Sequence, residues 1–428
     1  LSTEELDRGW RLACQAVAGM PLVIECGQWR MDVLTDDAGL TGAGKSGLGI
    51  AVDLGTTTIA AQLIDRSTGS VLGVETRLNP QASFGSDVMS RIRAVLSGAD
   101  LTQPVRMALG QMIAQLSGGR EEEIREVVLV GNTVMHHLFA GLDVEPLSHA
   151  PFHSPNPGAC CFRSQDLGWP LSPNCRIRFE HCLGGFVGSD ILAGILAVGI
   201  SRSSDLIALV DLGTNGEIAL GNRDGIVCAS TAAGPAFEAG SIRMGMRAAS
   251  GAISHVSHSQ GQLRATVIGD LDARGICGSG LVDAVAVGLE TGAILPSGRI
   301  ANGTKRFLVQ EPVVLHQADI RELQLAKAAI ASGFRLLLDR LGACATDVKA
   351  IHLAGAFGNY LQIESAIAIG LIEAPGGLIH AAGNTALRGA KILLLSADAP
   401  TLANIEHVSL AADPRFQDEF AACIAFPA

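Results

Sequence analysis

Residues 49–58 read GIAVDLGTTT, and residues 207–216 read IALVDLGTNG. In each, an unbroken apolar run rich in β-branched residues ends in Asp-Leu-Gly-Thr and a polar turn. Runs of that length suit a strand buried on both faces. Each is followed by a second strand-like run, IAAQLID at 59–65 and EIALGN at 217–222. The same signal recurring in the same context marks an internal duplication.

The chemistry of the repeat is coherent. Asp53 and Asp211 close their strands, where a carboxylate can hold a hydrated Mg²⁺, usually through water. Gly55 and Gly213 let backbone N–H groups approach phosphate oxygens. Thr56, Thr57, Thr58 and Thr214 add hydroxyls, and Asn215 a side-chain amide. One Asp-Leu-Gly-Thr alone would be an ordinary β-turn. Two in one context predict facing hairpins that grip a polyphosphate from both sides.

A second signal follows each hairpin. VVLVGNTVMHHL at 127–138 predicts a strand, a Gly-Asn-Thr turn and a helix. AIHLAGAFGNYL at 350–361 predicts a strand, a Gly-rich turn and another helix start. Gly355 and Gly358 bracket Ala356 and Phe357, a spacing that can receive an adenosine lying against the backbone.

A competing motif fails on its context. GLTGAGKS at 39–46 satisfies the P-loop string, with Lys45 and Ser46 in the phosphate and metal places. A P-loop must follow a buried strand and open a helix, whose N-terminal N–H groups bind the anion. Here a loop precedes it and a strand follows, so the segment reads as a Gly-rich linker.

The chain has 428 residues, 48% of them apolar, enough for a large core without disulfide or metal staples. Its length suggests about three domains or two larger ones. The net charge of −11 argues against nucleic acid, whose phosphates call for clustered Lys and Arg. No apolar run reaches membrane-helix length, and no signal peptide stands at the start. The 10 scattered cysteines suit a reducing cytoplasm, the expected location. The chain begins at Leu1 rather than Met, and it reads as a fragment or processed form.

The duplicated hairpins resemble the phosphate motifs of the sugar kinase, Hsp70 and actin superfamily, and LAGAFG at 353–358 resembles its adenosine motif. The resemblance implies an α/β, two-lobed, ribonuclease-H-like fold with ATP and Mg²⁺ between the lobes. Further stretches narrow it: NPQASFGSDVMSRI (79–92), GNTVMHHLFAGL (131–142), AGPAFEAGSIRMGMRAASGAI (233–253), GICGSGLVDAV (275–285), DIRELQLAKAAI (319–330) and GNTALRGA (383–390). Together they resemble the ATP-dependent reductive activators of corrinoid proteins over nearly the whole chain. Those activators return an oxidised cob(II)alamin to cob(I)alamin on a corrinoid methyl-transfer protein. They carry an N-terminal [2Fe–2S] ferredoxin-like domain.

That resemblance gives GWRLACQ at 9–15 a meaning. Cys14 resembles the fourth ligand of such a cluster, whose other three ligands would lie before Leu1. Cys26 is too close in sequence to complete the usual spacing. The chain as given is therefore not expected to bind [2Fe–2S]. The implied organisation is 1–27 as ferredoxin remnant, 28–47 as linker, 48–202 as lobe I and 203–428 as lobe II. The implied partners are a corrinoid protein and an electron donor acting through the missing domain, with a homodimer left open. A plant-type cluster near −400 mV facing a lower cobalt couple explains a need for ATP. A gap of about 120 mV is about 2.8 kcal/mol for one electron.

By the same resemblance Asp53 and Asp211 organise Mg²⁺ and the attacking water. Gly55, Thr56, Thr57, Thr58, Gly213, Thr214 and Asn215 hold phosphates, and Gly355, Ala356, Phe357 and Gly358 line the adenosine. Glu217 is a further catalytic candidate. Gly234 and Glu238 are candidate nucleotide contacts, and for Glu217 and Glu238 plain hairpin and helix-start roles stay open. Cys277 reads as a small residue packed in a turn before a helix. His136 and His137 read as one inward and one outward residue of a helix, and Cys160 and Cys161 show no metal spacing. Two other activities of the superfamily stay open: a small-molecule kinase, and an activator of acyl-CoA dehydratases with a shared [4Fe–4S] cluster, for which only Cys182 and Cys228 offer thiols. A chaperone-like or filament-forming ATPase module is a further class. The RLACQ stretch argues against all three.

Overall fold

A computed structural model describes residues 35–427 apart from 37, 43, 86, 214, 260, 270, 302 and 397–403. Cys14, Cys26 and Thr214 lie outside the described residues.

The first duplicated segment builds a six-stranded sheet from β1 (Leu48–Leu54), β2 (Thr58–Asp65), β3 (Val71–Leu78), β4 (Ile124–Val130), β5 (Cys160–Phe162) and β6 (Arg176–Phe179), in the order β3-β2-β1-β4-β6-β5. The middle of the chain adds β7 (Leu206–Leu212), β8 (Gly216–Asn222), β9 (Gly225–Thr231), β10 (Ala252–Ser259), β11 (Gln262–Val267), β12 (Gly275–Ile276), β13 (Arg306–Gln310) and β14 (Val313–His316). The last strands are β15 (Val348–Ala354), β16 (Ile379–Gly383) and β17 (Ile405–His407). A second six-stranded sheet runs β16-β15-β7-β8-β9-β17. Laid side by side, β3-β2-β1-β4-β6 and β9-β8-β7-β15-β16 are one pattern. In each, three strands meander antiparallel and two further strands run parallel to the first. The duplication read in the sequence is thus a duplicated sheet, and the fold is α/β and two-lobed.

The central strands are apolar because both faces are covered. Ile50, Ala51, Val52, Val127, Val128 and Val130 are fully buried, as are Ala208, Leu209 and Val210. Six helices matter to the site: α1 (Thr133–Ala140), α2 (Ser189–Val198), α3 (Gly278–Glu290), α4 (Gln317–Leu341), α5 (Gly355–Tyr360) and α6 (Thr385–Leu395). The large core of the second lobe lies under α3 and α4.

The lobes exchange helices. Helix α2 leaves the first sheet, yet Ile191 and Ile195 pack with Leu209 and Ala219 of the second. Helix α6 leaves the second sheet, yet Leu387, Ala390 and Leu394 pack with Ala51, Ile64 and Val128 of the first. The two helices therefore cross, and they cross closely. A Cβ at Gly389 would lie 2.0 Å from the Ala193 carbonyl oxygen, and one at Gly194 would lie 3.2 Å from Thr385 Oγ1.

The 39–46 segment behaves as a linker. It is irregular and runs into β1, and the Lys45 Nζ donates to the Ser396 carbonyl at 2.5 Å. The outward histidine expected in α1 is not found, since both His136 and His137 are buried. The chain at 154–158 covers that face of the helix, and His137 meets Ser154 Oγ at 2.7 Å and the Thr133 carbonyl at 2.8 Å. Cys277 is buried at the N-cap of α3, as a small residue in a turn.

A Gly389→Ala substitution should separate the crossed helices, because its clash is with backbone that has no rotamer to yield. We expect a loss of about 2 kcal/mol or more. Equilibrium urea unfolding measures it, and a variant as stable as wild type would show that the crossing is looser than described.

Candidate functional site

The C-terminal ends of β1 and β7 carry the two duplicated turns. In the first, the Gly55 N–H donates to the Thr58 carbonyl at 3.0 Å, and a Cβ at Gly55 would sit 2.6 Å from that oxygen. In the second, the Gly213 N–H donates to the Asn215 carbonyl at 3.0 Å. Tight reversals of this kind leave N–H groups at their tips unpaired, which is how glycine-rich loops receive anions.

Asp53 ends β1 between Ala60 and Val130 on the neighbouring strands, and Asp211 ends β7 between Glu217 and Ala354. The structure adds two residues that the sequence reading did not single out. Asp190 lies in the first turn of α2, where Ser189 N–H donates to the Gly131 carbonyl at 2.9 Å. Asn384 caps α6: its Oδ1 accepts from the Leu387 N–H at 2.8 Å and its Nδ2 donates to Asp53 Oδ2 at 2.9 Å. Each comes from one of the exchanged helices. Asp190 stands in GFVGSDIL, without the hairpin context that marked the other aspartates. Its only sequence signal was a Gly-Ser-Asp opening of an apolar helix.

The charge of Asp53 acts on Asp190 and Asp211, and the charges of Asp190 and Asp211 act on Glu217. Each keeps some contact with solvent, but protein surrounds them so fully that burial dominates. Burial pushes Asp53 up to about 6, opposed by the Asn384 hydrogen bond. Burial and then the Asp53 charge push Asp211 up to about 7. Burial and then Asp211 push Asp190 up to about 8. Glu217 is raised well above its ordinary value by burial first, then by Asp190 and Asp211, although Ser230 and Asn215 hydrogen-bond it. Like charges gathered in a low-dielectric cleft call for a cation. Among the described residues no three His, Cys, Asp or Glu side chains lie close enough to chelate a metal ion alone. That donor set fits a hydrated Mg²⁺ completed by water and phosphate, rather than a dedicated protein cage.

Gly355 opens α5 against this cluster. Its φ is +82°, and a Cβ there would lie 2.6 Å from Asp211 Oδ1 and 2.8 Å from the Leu212 carbonyl oxygen. Only glycine meets both demands. Gly358 and the backbone of Ala356 lie in the same helix. Phe357 is nearly buried, its ring stacked on Phe237 with centroids 4.9 Å apart, so it packs in the second lobe's core. Gly234 has a φ of +75° with open space where a Cβ would be. Glu238 is exposed at the end of the short 3₁₀ helix that follows. Thr56 is tied to α1, with Asn132 Nδ2 donating to its Oγ1 at 2.9 Å. Thr57 lies in the turn and Thr58 opens β2.

Cys182 and Cys228 do not form a cluster site. Cys182 packs beyond β6, with its N–H on the Pro157 carbonyl, while Cys228 sits inside β9. Burial pushes both thiols up to about 12. Among the described residues, no helix is long and apolar enough to cross a membrane.

Comparison with known proteins agrees with the two-lobed fold. Residues 205–428 match the family described as the C-terminal domain of RACo, the ASKHA domain, and residues 48–203 match the RACo middle region. The chain is 35% identical over 411 residues to the corrinoid activation enzyme RamQ of Eubacterium limosum, covering 87% of this chain and 69% of that protein. It is 27% identical over 381 residues to the [Co(II) methylated amine-specific corrinoid protein] reductase of Methanosarcina barkeri, covering 81% and 70%. Among solved structures, a reductive activator for a corrinoid, iron–sulfur protein superposes with a TM-score of 0.76 at 33% identity, covering 89% of this chain and 66% of that one. The chain thus spans about two thirds of the length of these relatives.

The raised carboxyls give a pH dependence. Between about pH 4, where free carboxyls ionise, and about pH 8, the folded chain holds protons that the unfolded chain has released. Nucleotide-free stability must therefore fall as pH rises through that window. A bound cation removes the penalty. Mg-ATP should raise the unfolding midpoint more at pH 8 than at pH 5.5, and calorimetry in two buffers should show proton release on binding near pH 7. An Mg-ATP shift independent of pH would count against the cluster as the cation site.

Proposed function

Since this chain belongs to the RACo family of corrinoid reductive activators, we propose that it binds ATP and Mg²⁺ between its lobes. Nucleotide turnover there drives the reduction of cob(II)alamin to cob(I)alamin on a corrinoid protein. The observation that supports this most is the convergence of Asp53, Asp190, Asp211 and Glu217 where two duplicated Asp-Leu-Gly-Thr turns meet. A phosphate-gripping site needs this arrangement, and a purely structural cleft would not gather uncompensated carboxylates.

In this reading Asp53 and Asp211 hold the hydrated cation, and Asn384 orients Asp53. Glu217, with its raised proton affinity, accepts a proton from the attacking water or orients it. The turns at Gly55, Thr56, Thr57 and Thr58, and at Gly213, Thr214 and Asn215, hold phosphate oxygens. Gly355, Ala356, Phe357 and Gly358 wall the adenosine side, with Phe357 acting through its stack on Phe237 rather than as a free ring. Gly234 and Glu238 stand at its margin. A bound Mg²⁺ supplies charge neutralisation on the phosphates.

The electron would come from a [2Fe–2S] domain preceding residue 28, with Cys14 as one ligand. It passes singly to Co(II), with no bond made or broken in the protein. ATP would act by favouring one arrangement of the lobes, and only an arrangement that binds the corrinoid protein differently can shift the reduction. The segments 48–202 and 203–428 would be the two bodies that close, in a protein of the cytoplasm.

The test is ATP hydrolysis by this chain with and without Co(II) corrinoid proteins of methyl-transfer systems. Stimulation by the corrinoid protein, lost by 100-fold or more in Asp211→Asn, is the expected result. Stimulation by small metabolites instead would replace the activator reading with that of a kinase.

A further inference from the structure

Asn79 and Arg91 place buried polar side chains against the carbonyls of the first turn. Asn79, Gln81 and Arg91 are essentially without solvent contact. The Asn79 N–H donates to the Thr57 carbonyl at 2.8 Å, and its Nδ2 to the Gly55 carbonyl at 2.9 Å. Arg91 Nη2 donates to the Thr56 carbonyl at 2.5 Å. With the Thr58 carbonyl already taken by Gly55, four successive carbonyls of the turn are tied back. The N–H groups of Thr56 and Thr57 pair with no acceptor among the described residues.

Arg91 is an unusual residue to bury. Its other partners are the Gly85 carbonyl at 3.1 Å, Gln81 Oε1 at 3.3 Å and Met135 Sδ at 3.5 Å, none of them a carboxylate. Asp87, one turn back, is committed to its own helix, with Oδ1 on the Ser90 N–H and Oδ2 on the Ser90 hydroxyl. The Asp87 charge offsets part of the cost, but a buried guanidinium with no carboxylate in hydrogen-bond contact remains costly. A core needing only shape would carry an aliphatic side chain there. The cost makes sense where an anion arrives on the other side of the loop.

We propose that Arg91, with Asn79, is the positioning residue of the phosphate-binding turn. It turns the carbonyls of residues 55–57 away from the cleft so that the N–H groups face the polyphosphate, and its charge is compensated more fully when phosphate binds. This rests on the nucleotide reading. It predicts selectivity for the phosphate part of the ligand, because Arg91 contacts nothing on the adenosine side.

The experiment compares ATP and adenosine binding by competition with a fluorescent nucleotide, in wild type, Arg91→Gln and Arg91→Lys. Arg91→Lys keeps the charge and loses the fork, so it serves where Arg91→Gln does not fold. The expected result is a loss of about 10-fold or more in ATP affinity, with adenosine affinity unchanged in a variant that melts cooperatively. A merely structural role would weaken both ligands together or neither, and either pattern overturns the proposal. A wild-type chain that binds adenosine but not ATP overturns the nucleotide reading along with it. A variant that binds ATP as wild type does overturns this inference alone.

Discussion

The crossing of α2 and α6 at Gly194 and Gly389 is the constraint on which the rest depends. Each helix leaves one sheet and packs on the other, so neither lobe completes its hydrophobic surface alone. A close backbone approach removes the room that any side chain would fill. It also fixes what the helix starts carry. Helix α2 brings Asp190 toward Asp53 and Asp211, and α6 brings Asn384 onto Asp53. The site is thus assembled from both lobes by the same contact that joins them.

That assembly concentrates negative charge where the fold offers little to neutralise it. Desolvation raises every carboxyl in the cluster, and neighbouring carboxylates raise Asp190, Asp211 and Glu217 further. Behind the first turn the reverse occurs, with Arg91 buried and no carboxylate in hydrogen-bond contact with it. The proposed metal-bound polyanion would answer both, its cation meeting the carboxylates and its phosphates the guanidinium. Each half of the ligand relieves one half of the imbalance, so binding both together is favoured over binding either alone.

The hairpins were legible because they rest on local rules. An apolar run that must be a strand, an aspartate at its end and a glycine after it are contiguous, and the copy at 207–216 confirms the copy at 49–58. The duplicated sheet follows from that. The residues that complete the site were not legible, because they sit on helix starts that only the crossing brings near. Asp190 and Asn384 look like ordinary helix-initiating residues in the sequence. The stack of Phe357 on Phe237 in the second lobe's core carries no signal in the sequence either, because the two residues are far apart in the chain. His137 was misread for the opposite reason. An amphipathic pattern says which face is apolar, but it cannot show that a later loop will cover the other face.

Helix α6 also ties the site to the chain that leads into the first sheet. At its N-terminus Asn384 holds Asp53. Farther along, Lys391, fully buried, donates to the carbonyls of Asp36 and Ala38 and lies 3.2 Å from Asp36 Oδ2. Just past its end, Ser396 accepts from Lys45. An 11-residue helix is a rigid rod of about 16 Å. A rod held at one end by Asp53 and at the other by Asp36, Ala38 and Lys45 cannot shift on one contact without loading the other. Gln62 Nε2, donating to the Asp36 carbonyl at 3.0 Å, anchors the same segment to the first sheet. The entry of the chain into its first lobe is therefore tied through α6 to Asp53.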